Sequence, residues 1–253
     1  MKRFVGKTAI VTGAGGGIGR AAAVRLAIEG ARVVCMDIAD TREETARLSC
    51  ESGISAGGSA HPLALDVFDP KGAKASFADA IARFGSIDVL VNCIGGGFPL
   101  KAFEIDEEAF DKMFEMNLKS TYRCCWAVLP HMAERRAGKI VNFSSVAGRS
   151  ASVLQGAHYS SSKAAVIGLT RHLAREFGPS NINVNAVAPG VVGTERILAQ
   201  MTPDQKARTE AATPLGRIGT PEDMAGVVAF LGSEDARHVT GVTVDVNGGY
   251  FLA

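Results

Sequence analysis

The chain has 253 residues, 47% of them apolar, enough for one hydrophobic core and short for two ordinary domains. Its 27 basic and 26 acidic residues leave a net charge of +1, which gives no electrostatic case for a nucleic-acid partner or a membrane surface. No stretch approaches the ~18 consecutive apolar residues of a membrane span. The opening MKRFVGKTAIVTG has no apolar signal core and no small-residue cleavage site, so a cytoplasmic location is expected. Five cysteines (Cys35, Cys50, Cys93, Cys124 and Cys125) include no C-x-x-C pair and read as free thiols of a reducing compartment. The five histidines are dispersed, so no metal site is expected.

Taken in chain order, short apolar, β-branched runs recur at Thr8–Val11, Ala31–Met36, Leu63–Val67, Ile87–Val91, Lys139–Phe143, Ile182–Val187 and Val242–Val246. Segments of helical periodicity separate most of them. Continuous apolar strands alternating with helices describe a parallel sheet covered on both faces. The expected fold is therefore a single doubly wound α/β domain over 1–253, a Rossmann fold with a seven-stranded parallel sheet. Thr220-Pro221-Glu222-Asp223 and Thr202-Pro203-Asp204-Gln205 both read as helix starts, with an N-cap, a proline in the first turn and carboxylates near the positive helix end. The second lies in the excursion 195–219 between the sixth and seventh strands, whose length suggests a lid over a site.

The first strand runs into Thr12-Gly-Ala-Gly-Gly-Gly-Ile-Gly19, five glycines in eight residues. Glycine costs backbone entropy, so this density implies a ligand resting against the chain itself. A glycine-rich turn that opens a helix presents backbone N–H groups and the helix dipole to a pyrophosphate. The second strand ends at Asp37, 18 residues past Gly19, where a carboxylate can accept from the adenosine ribose hydroxyls. Turn, helix, strand and Asp in this sequence mark a dinucleotide site.

These residues resemble the short-chain dehydrogenase/reductase family, and within it the 3-oxoacyl-[acyl-carrier-protein] reductase-like branch. The glycine pattern T-G-x-x-x-G-x-G falls on Thr12, Gly13, Gly17 and Gly19, with Gly15 and Ile18 inside the same turn. The resemblance assigns Asp66 and Val67 to the adenine, Asn92 to the family's N-N-A-G, and Pro189, Gly190, Val192 and Thr194 to the stretch that holds the nicotinamide carboxamide. At the N-N-A-G position this chain departs from the pattern, with Cys93 and Ile94 in place of Asn and Ala. The resemblance further implies a four-subunit assembly, to which the small residues Ala164, Ala165 and Gly168 and the apolar C-terminus Val246–Ala253 would contribute.

Tyr159-Ser-Ser-Ser-Lys163 carries the chemistry. At i and i+4 the two side chains share one helix face, about 5–6 Å apart at Cβ. The helix begins 14 residues after Ser145, which ends a strand, so phenol, ammonium and hydroxyl meet near the carboxyl edge of the sheet. Hydride transfer from an alcohol needs a base at the hydroxyl oxygen. A free phenol titrates near ~10, and lowering that by about three units takes roughly 4 kcal/mol. A cation ~5.5 Å away supplies about 3 kcal/mol at an effective dielectric of ~20, so Lys163, helped by the positive charge of the oxidised nicotinamide, is expected to lower Tyr159. Tyr159 is then the general acid/base and Ser145 a donor to the carbonyl oxygen. By resemblance, Tyr159 and Lys163 also bind the nicotinamide ribose, and Asn117 is a fourth catalytic residue that orders a water for Lys163. Asn117 falls within the apolar stripe Phe110, Met113, Phe114, Thr121, Cys124 and Val128 of a helix from Asp106.

The functional reading is an NAD-dependent oxidoreductase acting between a secondary alcohol and a ketone, with a 3-oxoacyl-thioester reductase as the alternative. NADP is disfavoured, because Asp37 would meet its 2′-phosphate with like charge and Gly16 and Ile38 offer no compensating cation. Only Arg42 stands near enough to weaken that argument. Phe98, Val153, Leu154, Val192, Ile197, Leu198 and Met201 are candidates for an apolar substrate pocket, and Arg149 for receiving an anion. A non-catalytic nucleotide-binding module would keep the glycine turn without needing Asn117, Ser145, Tyr159 and Lys163 together. Gly53-Ile-Ser55-Ala-Gly57 matches G-x-S-x-G, but it follows a helix and precedes a strand, the reverse of a nucleophile elbow.

Overall fold

A computed structural model describes residues 2–152 and 154–252; Val153, one of the expected pocket residues, lies outside them, as do Met1 and Ala253. The strands are β1 (Thr8–Thr12), β2 (Arg32–Asp37), β3 (Ser59–Ala64), β4 (Val89–Asn92), β5 (Gly138–Phe143), β6 (Ile182–Pro189) and β7 (Thr243–Val246). They form one parallel sheet in the order β3-β2-β1-β4-β5-β6-β7, as expected for the doubly wound fold. The order reverses between β1 and β4, and ligands of such sheets bind in the crevice at that point.

The helices α1 (Gly17–Ile28), α2 (Thr41–Gly53) and α9 (Pro221–Leu231) cover one face; α3 (Pro70–Phe84), α5 (Ser120–Arg135) and α6 (Ala157–Phe177) cover the other. Adjacent residues of a strand feed opposite cores. Val11, Val33 and Val91 pack with Leu26, Ala46 and Val228, whereas Ile10, Val34 and Leu90 pack with Phe77, Val128 and Leu173. A period of two with both faces buried gives the unbroken apolar runs of the sequence. Both expected helix starts are capping boxes: Thr202 opens α8 (Pro203–Ala211) and Thr220 opens α9.

The third strand differs from expectation. It was expected at Leu63–Val67 and occupies Ser59–Ala64, pairing Arg32↔Ser59 through Asp37↔Ala64. β3 is an edge strand, so Pro62 costs it no ladder bond on the open side. The ladder stops where β2 stops, at Asp37. Leu65 and Val67 are buried beyond the strand end, which is why the apolar pattern ran late.

The helix from Asp106 is also not continuous. Asp106 caps α4 (Glu107–Phe114) by accepting from the Ala109 N–H at 2.8 Å, and then a π-helical turn, Glu115–Lys119, precedes α5. Such turns insert one extra residue and are frequent at functional sites. Here the insertion carries Asn117. The G-x-S-x-G segment ends α2 and precedes β3, with Ser55 exposed, as the sequence context indicated.

Candidate active site

The glycine turn leaves β1 with Gly13 at φ +68° and Gly17 at φ +50°, conformations open to glycine. At Gly19 the requirement is space: a Cβ there would stand 2.1 Å from the Gly13 carbonyl oxygen. Gly16 caps α1 without any side-chain bond, and a Cβ on it would meet open space. The first N–H groups of α1 therefore face a cavity of about 620 Å³ walled by Gly13, Gly16, Gly17, Asp37 and Asp66, with Ile18, Gly19, Val67 and Thr194 beside them. A glycine cradle, a helix N-terminus free of side-chain caps and a carboxylate at the strand end fit the diphosphate and ribose of a dinucleotide.

Asp37 holds this end together. Its Oδ2 accepts from the Gly15 N–H at 2.8 Å and its Oδ1 from the Ala39 N–H at 2.9 Å, which leaves lone pairs on both oxygens. Arg42 bonds Asp40 at 2.9 Å and the Ile38 carbonyl. A second cation beside the turn, overlooked in the sequence, is Arg20. Its Nη2 donates to the Gly15 carbonyl at 2.9 Å and to Glu44 at 3.3 Å, and its Nε to Thr45 at 3.1 Å. Thr12, Gly15 and Asn92 are buried and line neither cavity of the cleft. Asn92 belongs to a polar chain across the sheet: Thr12 Oγ1 donates to the Val91 carbonyl, Asn92 Nδ2 to Asn142 at 2.9 Å, and Asn142 Nδ2 to Thr170 on α6 at 3.0 Å.

A second cavity, of about 220 Å³, shares Ile18, Cys93, Ile94, Gly95, Thr194 and Arg196 with the first and brings in Ser145, Tyr159 and Lys163. Pro189, Gly190 and Val192 also wall it, at the end of β6. Ser145 is fixed by the end of β5 and by the 3₁₀ turn Val146–Gly148, which it caps by accepting from the Ala147 N–H at 3.1 Å. α6 docks against that turn because Gly148 has no side chain: a Cβ there would lie 2.7 Å from the Lys163 carbonyl carbon. Ser144 Oγ donates to the Lys163 carbonyl at 2.8 Å and sets the register of the helix.

Lys163 is buried, and its Nζ donates to the Phe143 carbonyl at 2.9 Å. Burial lowers its pKa to about 8, opposed weakly by Cys93. Tyr159 moves the other way from expectation. Burial pushes the phenol up, while a hydrogen bond to Ser145 and the Arg196 charge pull it down. Desolvation of the phenolate outweighs these two contacts. In the protein by itself the phenol is therefore held protonated, the form that donates to a ketone.

Asn117 is fully buried and satisfied by local partners: its Oδ1 accepts from the Gly96 N–H at 3.0 Å, and its Nδ2 donates to the Gly96 carbonyl at 3.0 Å and to Ser162 at 3.1 Å. Its own carbonyl accepts from Thr121 at 2.9 Å. The loop it clasps was not singled out from the sequence, although Gly95-Gly96-Gly97 was a visible signal. Each glycine passes one site residue closely. A Cβ on Gly95 would lie 3.0 Å from Lys163 Nζ, on Gly96 3.4 Å from Arg196 Nη1, and on Gly97 2.8 Å from the Tyr159 ring.

Of the expected substrate residues, Leu154, Val192 and Ile197 line the smaller cavity, joined by Gln155, Arg196 and Tyr250, which the sequence reading missed. Phe98, Leu198 and Met201 are not among its walls; Phe98 packs edge-on against His158, ring centroids 4.9 Å apart. Arg149 is not an anion receiver. Asp245 pairs with it at 3.0 Å and Phe251 lies under its guanidinium, so its charge is already spent. The cysteines are free thiols, Cys35, Cys124 and Cys125 buried. Among the described residues no cluster of metal-ligating side chains occurs, and no helix is long and apolar enough to cross a membrane.

A family model described as Enoyl-(Acyl carrier protein) reductase matches residues 13–251. The chain is 38% identical over 254 residues to the 7alpha-hydroxysteroid dehydrogenase of Bacteroides fragilis, covering 98% of this chain and 96% of that one. It is 38% identical over 247 residues to the 3-oxoacyl-[acyl-carrier-protein] reductase FabG of Vibrio cholerae, covering 98% of each. Among solved structures, a 3-oxoacyl-[acyl-carrier protein] reductase with bound NAD from Brucella melitensis superposes with a TM-score of 0.87 at 35% identity, over 100% of this chain and 94% of that one. The chain belongs to the short-chain dehydrogenase/reductase family, in its 3-oxoacyl-[acyl-carrier-protein] reductase-like branch, and is an oxidoreductase of alcohol and ketone groups that uses a nicotinamide cofactor.

Proposed function

We propose that the protein interconverts a secondary alcohol and a ketone with NAD(H), using Tyr159 as general acid/base, Ser145 as hydrogen-bond donor to the reacting oxygen, and Lys163 and Asn117 as its supporting pair. The observation that carries this reading is that Ser145, Tyr159 and Lys163 wall one cavity together, the Lys163 ammonium held there by the Phe143 carbonyl. When bound, the nicotinamide supplies or accepts the hydride. Tyr159 holds the proton that the ketone oxygen needs, and Ser145 orients that oxygen toward the phenol. Lys163, one donor spent on Phe143, has two left for a ribose hydroxyl and for an anionic phenol during alcohol oxidation. Asn117 holds the Gly95–Gly97 loop against Lys163.

For the cofactor, Gly13, Gly17, Ile18 and Gly19 form the diphosphate cradle, with Thr12 and Gly15 behind it and the Gly15 N–H holding Asp37, which takes the ribose hydroxyls. Asp66, Val67 and Asn92 back the adenosine, and Pro189, Gly190, Val192 and Thr194 take the carboxamide. NAD is preferred because Asp37 faces the ribose while Arg42 and Arg20 are both engaged by carboxylates. The segment 195–219, with α7 (Glu195–Gln200) and α8, acts as a lid on one domain. A homotetramer in a reducing cytoplasm completes the reading. Its support is the exposed small face of α6 at Ala164 and Gly168 and the exposed Trp126 of α5. The test is a panel of secondary alcohols, ketones and 3-oxoacyl thioesters with NAD(H) and NADP(H), followed by nicotinamide absorbance. Turnover of at least one, lost in Tyr159→Phe, is the expected result; turnover unchanged in that variant overturns the assignment.

A further inference from the structure

Arg196 lies in the first turn of α7, at the boundary of the two cavities, and walls both. Its guanidinium reaches across the cleft to the loop behind β4, 3.4 and 3.6 Å (Nη1 and Nη2) from the point where a Cβ on Gly96 would stand, with Met116 Sδ beside it. Unlike Arg149, it has no carboxylate partner among the described residues. The walls of the smaller cavity carry two cations, Lys163 and Arg196, and no Asp or Glu among the described residues. Lys163 is committed to Phe143 and the reacting centre, so Arg196 is the charge left for a ligand.

A second observation points to the same end of the cavity. Gln155 Oε1 is buried, has no hydrogen-bond partner among the described residues, and lies 2.9 Å from the Cβ position of Gly97, beside the Tyr159 ring. Buried polar atoms are almost always satisfied, so this carbonyl oxygen awaits an N–H or O–H donor on a ligand. The walls of this cavity also include Leu154, Ile197 and Tyr250, which are apolar or amphipathic.

We propose that Arg196 determines substrate specificity by pairing an anionic group on the oxo or hydroxy substrate, while Gln155 Oε1 accepts from a neutral N–H or O–H of the same ligand. A planar guanidinium matches carboxylate and phosphate alike. The group is then either the carboxylate of a small free oxo acid or the phosphate of a carrier's thioester arm. This inference rests on the alcohol/ketone reading of the same site and deepens it.

The experiment compares two matched pairs in the native enzyme, Arg196→Met and Arg196→Lys. Acetoacetate is set against its methyl ester, and the acetoacetyl thioester of phosphopantetheine against that of pantetheine. In one pair the native enzyme should favour the anionic member by roughly tenfold to a hundredfold in kcat/KM, expressed in KM. Arg196→Met should bring that ratio close to one, and Arg196→Lys should restore part of it. The pair that responds identifies the source of the charge. A native ratio near one in both pairs overturns the proposal, as does a ratio that survives Arg196→Met. So does a tenfold loss of NADH affinity in Arg196→Met with the ratio unchanged, which would assign the guanidinium to the cofactor's phosphates. If no compound turns over, the alcohol/ketone reading fails for these substrates. Calorimetric binding of acetoacetate and its ester then decides the role of Arg196, and equal affinities in native and Arg196→Met protein overturn it.

Discussion

Toward β2 and β3 the cleft is walled by glycine backbone and two carboxylates, Asp37 and Asp66, whereas toward β5 and β6 the smaller cavity carries Ser145, Tyr159, Lys163 and Arg196 and no carboxylate among its described walls. The first end is made of main-chain atoms and excludes side chains by contact, as at Gly19. The second is made of side chains held by distant elements: Ser145 by the end of β5, Tyr159 and Lys163 by α6, Arg196 by α7. A backbone surface recognises a ligand that never changes. A surface of side chains can change its substrate while the cofactor end stays as it is.

The sharpest way to separate the two ends is Tyr159→Phe. Removing the ionisable oxygen while keeping the ring should lower turnover by about 10²–10⁴-fold, with NADH affinity by fluorescence titration nearly intact. A parallel loss of affinity would mean that the two ends are not independent. The complementary change, Gly19→Ala, forces a Cβ against the Gly13 carbonyl and should cost about 1–3 kcal/mol of stability together with cofactor affinity. Thermal unfolding with and without NADH measures both, and an unshifted midpoint in both scans would break the argument from space.

Asp37 sharpens the comparison in charge. A 2′-phosphate ~4 Å from this carboxylate meets about 4 kcal/mol of repulsion at an effective dielectric of ~20, and half of that disfavours NADP by more than about tenfold. Asp37→Ala should lose most of that margin in kcat/KM, measured with both cofactors on one substrate. Because Asp37 also ties Gly15 and Ala39, the variant should weaken NAD as well.

The smallest expected effect is in pH. With Lys163 lowered to about 8 and Tyr159 raised, ketone reduction should hold level below about pH 8 and fall above it as the ammonium is lost. Arg196 opposes the rise of Tyr159, so Arg196→Met should move the alkaline limb of alcohol oxidation to higher pH. A limb that stays in place would mean that the guanidinium does not act on the phenol. Lys163 also contributes to the stability profile. Its folded value lies below the unfolded one, so the unfolded chain binds the extra proton between about 8 and the ordinary lysine value, and stability rises with pH across that window.

The amino-acid sequence by itself determined the seven strands, the burial of the five central ones on both faces, the glycine turn with Asp37 and the Ser145, Tyr159 and Lys163 set, because periodicity, glycine density and i,i+4 spacing are local properties. It missed where β3 ends, since that depends on where β2 stops pairing, and it missed the π turn that swings Asn117 under Gly96. Arg149 and Arg196 were indistinguishable as letters. Only the tertiary structure spends one on Asp245, 96 residues away in the chain, and leaves the other facing the cavity. The direction of the Tyr159 shift was decided in the same way. Charge proximity can be read from spacing, but desolvation belongs to the packed volume around the phenol, and only the folded chain has one.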